Sequence, residues 1–174
     1  MKIILTGYRC VGKSSAGKLV AEELHLPFYD TDELVEKSAG KKIAEIVEAS
    51  GWEAFRRKER EVVRSLKDVK EGVIALGGGA VMDSTNVECL RDNGIFVWLR
   101  AEPETIISRL ESDGKSETQR PSLSGKSVHE ETIENITARE PVYRSVAGIV
   151  VKTDRQDIVE IAGRICQHLC AVMR

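Results

Sequence analysis

The segment Gly7-Tyr8-Arg9-Cys10-Val11-Gly12-Lys13-Ser14 has the spacing G-x-x-x-x-G-K-S. It joins the apolar run Ile3-Ile4-Leu5 to a stretch of helical periodicity, Ser15 to Leu24. A chain that turns this sharply from strand into helix points several backbone N–H groups, and the positive end of the helix, at one spot. Gly7 and Gly12 permit the backbone angles and the close approach that a side chain would block. A polyphosphate suits such a cradle: Lys13 is placed to reach the β- and γ-phosphates, and the Ser14 hydroxyl to bind Mg²⁺. Gly7, Cys10, Val11, Gly12, Lys13, Ser14 and Ser15 are therefore the candidate contacts to a nucleoside triphosphate, with Lys13 also a candidate catalytic group.

A phosphate loop of this kind belongs in an α/β fold, and the rest of the chain supplies one. Strand-like runs fall at Ile3–Thr6, Pro27–Tyr29, Val73–Leu76, Ile95–Leu99 and Ile149–Lys152, with helical patterns between them. Ala16, Leu19, Val20 and Leu24 line one side of the first helix, and Ile158, Ile161, Ala162, Ile165 and Leu169 one side of the last. Asn93-Gly94 is expected to cap a helix that begins near Ser84. Strands alternating with helices imply right-handed crossovers and a parallel sheet covered on both faces, a three-layer α/β/α domain. At 174 residues the chain is expected to form a single domain, 1–174.

The net charge of -2 leaves no cationic surplus for a nucleic-acid backbone. The longest apolar stretches, such as Ile149-Val150-Val151, are far short of a membrane span. Met1-Lys2 leads straight into the first strand, so no leader is expected, and Cys10, Cys89, Cys166 and Cys170 lack C-x-x-C spacing and read as reduced thiols. A cytoplasmic monomer without nucleic-acid or membrane partners is the expectation.

From Ser112 to Ser127 the chain is polar, with Gly114, Gly125 and Pro121. A structureless stretch of this length is functional or disordered. A mobile lid over the phosphates is the functional reading, and Arg120 within it favours that reading, because a cation on a lid arrives only when substrate is bound.

The guanine-reading N-K-x-D and the D-x-x-G switch of GTPases are both missing, and the run Val73-Ile74-Ala75-Leu76 does not end in the acid that commonly helps to hold Mg²⁺. It runs into Gly77-Gly78-Gly79, which at a strand's carboxyl end lets a ligand approach bare backbone. The missing acid can come from Asp30-Thr31-Asp32: Asp30 would hold Mg²⁺ through its water shell, and Asp32 would meet a substrate hydroxyl and accept its proton. Asp30 or Thr31 also reads as a helix N-cap, with Asp32 and Glu33 in the first turn, and the two readings are compatible. Phe55-Arg56-Arg57-Lys58-Glu59 lies in a charged helix and Arg139-Glu140-Pro141-Val142-Tyr143 ends another; taken alone, these arginines, with Arg60, read as exposed charges paired to nearby Glu.

Taken together, the phosphate loop, Asp30-x-Asp32, Phe55-Arg56-x-x-Glu59, Gly77-Gly78-Gly79, Arg120-Pro121 and Arg139-x-x-x-Tyr143 resemble the shikimate kinase family in order and rough spacing, from Lys2 through about Asp157. The resemblance implies a P-loop kinase fold with a five-stranded parallel sheet in the order 2-3-1-4-5, a lid at about 112–127 and an acceptor-binding helical region at about 31–66. It implies Mg-ATP-dependent phosphorylation of the 3-hydroxyl of shikimate, on the route to chorismate and the aromatic amino acids. Asp32, Arg56, Arg139 and Gly77, Gly78 and Gly79 would hold shikimate, and Glu59 would orient Arg56. Arg120 would reach the nucleotide phosphates, and Arg155, in Thr153-Asp154-Arg155, would lie in the loop that covers adenine. Paired guanidiniums suit a ring carboxylate, and an Asp suits ring hydroxyls. The chain departs from many members in carrying Cys10 where they have a third loop glycine, and Glu111–Glu117 matches no further adenine-contacting Arg. Gluconate kinase is the rival acceptor reading, and a non-catalytic nucleotide-binding regulator the rival class.

Overall fold

The computed structural model describes residues 1–112 and 127–172. Strands β1 (Lys2–Thr6), β2 (Phe28–Asp30), β3 (Gly72–Ala75), β4 (Gly94–Arg100) and β5 (Ile149–Lys152) pair in parallel in the order β2-β3-β1-β4-β5. Helices α1 (Lys13–Glu23), α2 (Thr31–Ala39), α3 (Ile43–Ser65), α4 (Ser84–Arg91), α5 (Pro103–Ser112), α6 (Val128–Val146) and α7 (Ile158–Val172) lie between and after them. This is the expected P-loop kinase fold, with its parallel sheet in the expected order.

β1 sits in the middle of the sheet, and its alternate side chains feed two cores. Ile3 and Leu5 pack with Val20 of α1, Ile106 of α5 and Ile161 and Ile165 of α7. Ile4 packs with Val63 of α3, Leu90 of α4 and Tyr143 of α6. A strand buried on both faces reads as an unbroken apolar run, as Ile3-Ile4-Leu5 does. The edge strand β5 instead alternates: Ile149 and Val151 are buried, Val150 and Lys152 exposed. A third cluster, with Val35, Ile46, Phe55 and Val62, joins α2 to α3.

Local signals set the helix ends. Asp30 caps α2, its Oδ1 accepting from the N–H groups of Asp32 (3.0 Å) and Glu33 (3.3 Å). The expected Asn93-Gly94 cap is half right: α4 stops at Arg91, Asn93 turns the chain at a φ of 60°, and Gly94 already belongs to β4. The helix expected to end within Arg139–Tyr143 continues to Val146. Pro141 removes one backbone donor, and the last turn is held by the buried Tyr143 ring, stacked on Trp98 at 5.9 Å. Arg57 pairs with Glu53 on the α3 surface as expected. Arg60 departs from that reading: it reaches Asp83 at 3.1 Å and ties α3 to the start of α4.

The phosphate loop is fitted against the sheet. At Gly7 φ is 137°, and a Cβ there would overlap the Leu99 carbonyl oxygen of β4. The atoms it would meet are the Leu99 carbonyl and a methyl of the buried Val11, neither of them the end of a flexible side chain. Gly7→Ala is expected to destabilise the fold by at least about 2 kcal/mol. Urea unfolding checks this; a midpoint equal to wild type would show that the loop can shift away from β4.

Candidate active site

The loop after β1 delivers its ligand groups through backbone. Gly12, at a φ of 92°, is the N-cap of α1 with no side-chain cap, and the first turn of α1 carries no acid, so the amide end of the helix faces an anion without competition. Val11 is buried in the core and anchors the loop, while Ser14 and Ser15 stand exposed in the first turn. Cys10 adopts a φ of 59°, the left-handed region in which a glycine is unstrained and a side chain costs roughly 1 kcal/mol. Lys13 folds back over the loop, its Nζ donating to the carbonyls of Gly7 (2.9 Å) and Tyr8 (2.7 Å).

β2 is not the neighbour of β1, since β3 lies between them, yet the carboxyl end of β2 still reaches the loop. Ser14 Oγ donates to Asp30 Oδ2 at 2.5 Å, while Oδ1 of the same carboxylate caps α2. The N-cap reading of Asp30 is thus seen directly, while its second oxygen is turned to the phosphate loop. A hydroxyl and a carboxylate oxygen side by side at the phosphate cradle are hard donors that fit Mg²⁺, which keeps most of its waters and needs few protein ligands.

The glycine triplet after β3 is the hub that brings the remaining groups together. A Cβ on Gly77 would lie 2.7 Å from Asp32 Oδ1 and 2.8 Å from Glu59 Oε1. One on Gly78 would lie 3.3 Å from the Arg9 nitrogen of the phosphate loop, and one on Gly79 would overlap the Arg56 guanidinium. The triplet itself is held in place: the Gly77 N–H donates to Thr31 Oγ1 at 2.9 Å, and the Tyr143 hydroxyl donates to the Gly78 carbonyl. Burial pushes the Tyr143 phenol up to about 12, so it remains a donor, although the nearby Arg139 and Arg56 charges pull the other way.

Arg56 Nη1 pairs with Glu59 Oε2 at 2.5 Å, with Glu59 1% and Arg56 27% exposed. A buried carboxylate thus fixes a half-buried guanidinium whose Nη2 lies against Gly79. Arg139 comes from α6, its Nη1 3.5 Å from the Gly78 carbonyl and its Nη2 3.3 Å from Asn135 Oδ1. Both arginines, and Asp32, converge on Gly77–Gly79 beside the phosphate loop.

Gly79 shows how tightly this side is built. Because the atom that an added methyl would displace is the end of a long side chain, Gly79→Ala is expected to fold normally and to move Arg56. The KM for an acidic acceptor should rise roughly tenfold while the KM for ATP holds. Steady-state kinetics with a melting curve decide it: an unaltered acceptor KM removes Arg56 from acceptor binding.

Arg155 lies exposed in the turn after β5, at a φ of 54°. Sequence reasoning missed the residue that ties this turn to the phosphate loop. Arg109, from α5, donates to the Cys10 carbonyl (3.2 Å), to Thr153 Oγ1 (3.2 Å) and to the Thr153 carbonyl (2.7 Å). No motif marks it, since its partners are two backbone carbonyls and a hydroxyl far away in sequence. Asp154 next to it accepts from the Glu102 N–H (2.9 Å) and Thr105 Oγ1 (2.7 Å). Burial raises its pKa, but these hydrogen bonds and the Arg109 charge together hold it below the ordinary range. Arg120 and Pro121, and the lid between Ser112 and Ser127, lie outside the described residues. Among the described residues no group of three or more His, Cys, Asp and Glu could hold a metal, and no helix is long and apolar enough to cross a membrane.

The family model for shikimate kinase matches residues 9–170. Shikimate kinases from Syntrophus aciditrophicus (strain SB) and Symbiobacterium thermophilum are 42% and 41% identical, over 95% and 97% of this chain and 89% and 96% of theirs. A solved shikimate kinase from Acinetobacter baumannii, in complex with shikimate, is 31% identical with a TM-score of 0.90, covering 98% of this chain and 93% of that one. The matches span nearly the whole length, and the chain belongs to the shikimate kinase family.

Proposed function

We propose that this kinase transfers the γ-phosphoryl group of Mg-ATP to the 3-hydroxyl of shikimate, giving shikimate 3-phosphate and ADP on the route to chorismate. The observation that carries the reading is the convergence of Arg56, Arg139 and Asp32 on the bare backbone of Gly77–Gly79, beside the phosphate loop. Two guanidiniums there match one ring carboxylate, and the carboxylate of Asp32 matches ring hydroxyls. Asp32 orients the acceptor hydroxyl and accepts its proton as the phosphoryl group arrives. Lys13 offsets the charge that spreads over the transferring group, in a reaction where positioning and electrostatics carry most of the catalysis.

Mg²⁺, held by Ser14 and through water by Asp30, would neutralise charge on the phosphates. Gly7, Cys10, Val11, Gly12, Lys13, Ser14 and Ser15 bind the polyphosphate, and Arg155 with the Thr153 turn closes over the base. Arg120 joins the phosphates on the strength of its sequence motif alone. On this reading residues 31–66 are the acceptor-binding region of one kinase domain, acting as a monomer in the cytoplasm with no nucleic-acid or membrane partner.

A coupled ADP-release assay with Mg-ATP tests it, with shikimate, gluconate or no acceptor. ADP release with shikimate alone is expected. Release with gluconate, or equal release without acceptor, overturns the assignment.

A further inference from the structure

Tyr8 has no part in the scheme above, yet it touches both halves of it. It stands in the phosphate loop directly after Gly7 and is 6% exposed. Its carbonyl accepts from Lys13 Nζ at 2.7 Å, inside the phosphate cradle. Its ring centroid lies 5.5 Å from the guanidinium carbon of Arg139 and 5.8 Å from that of Arg9. A guanidinium within about 6 Å of an aromatic ring is attracted to its face, and more strongly where water is excluded.

Arg139 needs that support. Its hydrogen bonds to the Gly78 carbonyl and to Asn135, at 3.5 Å and 3.3 Å, are longer than the ~2.7–2.9 Å of a firm charge-assisted bond. The neighbouring Tyr143 hydroxyl, which it also meets, spends its proton on the Gly78 carbonyl. Nor does continuous packing fix α6 against the loop. A cavity of about 130 Å³ opens there, bordered by Tyr8, Val11, Trp98, Ile136 and Tyr143. The Tyr8 ring is a discrete contact beside that gap.

We propose that Tyr8 is a positioning residue: from the phosphate loop it holds the Arg139 guanidinium toward the carboxylate of the acceptor. This rests on the acceptor site proposed above. Because the carbonyl of the same residue anchors Lys13, an anion that draws the Lys13 ammonium acts on the loop segment under Arg139. Any gain in acceptor affinity that follows is returned equally to the nucleotide. The ring, not the hydroxyl, carries the effect.

Steady-state kinetics with Mg-ATP and shikimate on wild type, Tyr8→Phe, Tyr8→Leu, Arg139→Ala and the Tyr8→Leu/Arg139→Ala double variant provide the test. Tyr8→Leu is expected to raise the shikimate KM roughly tenfold, with kcat and the ATP KM within about twofold. Tyr8→Phe should behave as wild type. In the Arg139→Ala background, Tyr8→Leu should lower kcat/KM no further, as expected of two residues that act as one unit. Tyr8→Met, which refills the volume without an aromatic face, carries the same comparison should melting curves show Tyr8→Leu unfolded. An equal rise in both KM values, a Tyr8→Phe as impaired as Tyr8→Leu, or full additivity with Arg139→Ala overturns the proposal. A wild type that leaves shikimate unphosphorylated overturns the functional reading and this proposal with it. A wild type that phosphorylates shikimate, with unselective Tyr8 variants, overturns this proposal alone.

Discussion

Lys13→Met is expected to give a folded protein whose turnover is lower by about 10³-fold or more. The two side chains are of similar length, so the substitution removes charge and donors with little change in volume. With Lys13 Nζ already inside the loop, at 2.9 Å and 2.7 Å from two of its carbonyls, the charge lies where the polyphosphate must sit. Reorganisation on substrate arrival is then small, and the full electrostatic effect falls on the transferring group. The same contacts predict a second, smaller effect. Two hydrogen bonds that close the loop are lost, each worth about 1 kcal/mol, so the melting temperature should drop by a few degrees. A coupled assay beside a melting curve separates the two. Turnover within about tenfold of wild type, in a protein that melts normally, would remove Lys13 from the mechanism.

Arg139→Ala should lower kcat/KM for shikimate by about 10²- to 10³-fold, roughly 3–4 kcal/mol, and leave nucleotide affinity nearly unchanged. Arg139 faces the Gly78 carbonyl, not the phosphate loop carbonyls that Lys13 holds, which is why the two substrates should respond so differently. The partner arginine makes the loss larger. Arg56 is neutralised in part by Glu59, so Arg139 carries much of the net positive charge that an acidic acceptor meets. Arg139→Lys should recover only part of the activity, because an ammonium cannot present a planar fork to a carboxylate. Calorimetric titration with ADP and initial rates over a range of shikimate decide the matter. An equal loss of ADP affinity would place Arg139 in the nucleotide site instead.

Much of the architecture is legible because the strands are nearly uniform in hydrophobicity. Ile149–Lys152 coincides with β5, and the other four runs differ from β1 to β4 by one residue at one or both ends. Those ends are decided by hydrogen bonding to distant backbone. Lys2 opens β1 although it is charged, because its Nζ reaches the Lys67 carbonyl at 2.7 Å while its stem is buried. The kink inside α3 at Gly51, with φ 77° and ψ 170°, falls where the flanking residues keep a helical pattern, and one glycine does not announce it.

Within the site, Asp30, Asp32 and the glycine triplet can be placed together from sequence, since the carboxyl ends of parallel strands share one edge. Arg56 and Arg139 cannot: on their own helices they look like any surface arginine, and the family motif singles them out. Arg109 and Tyr8 stay hidden for a different reason. Their contacts are with carbonyl oxygens and with a ring face, groups that every residue or any aromatic offers.

The buried phenol on α6 also sets an alkaline limit for the molecule. Tyr143 ionises near 10 in an unfolded chain and near 12 in place, so the stability it lends is whole below pH 10 and drains away as the solution is taken toward pH 12. Over the neutral range its proton never leaves, and the tether on Gly78 is insensitive to acidity. Strong base should therefore release the Gly78 carbonyl, the backbone atom that Arg139 also faces.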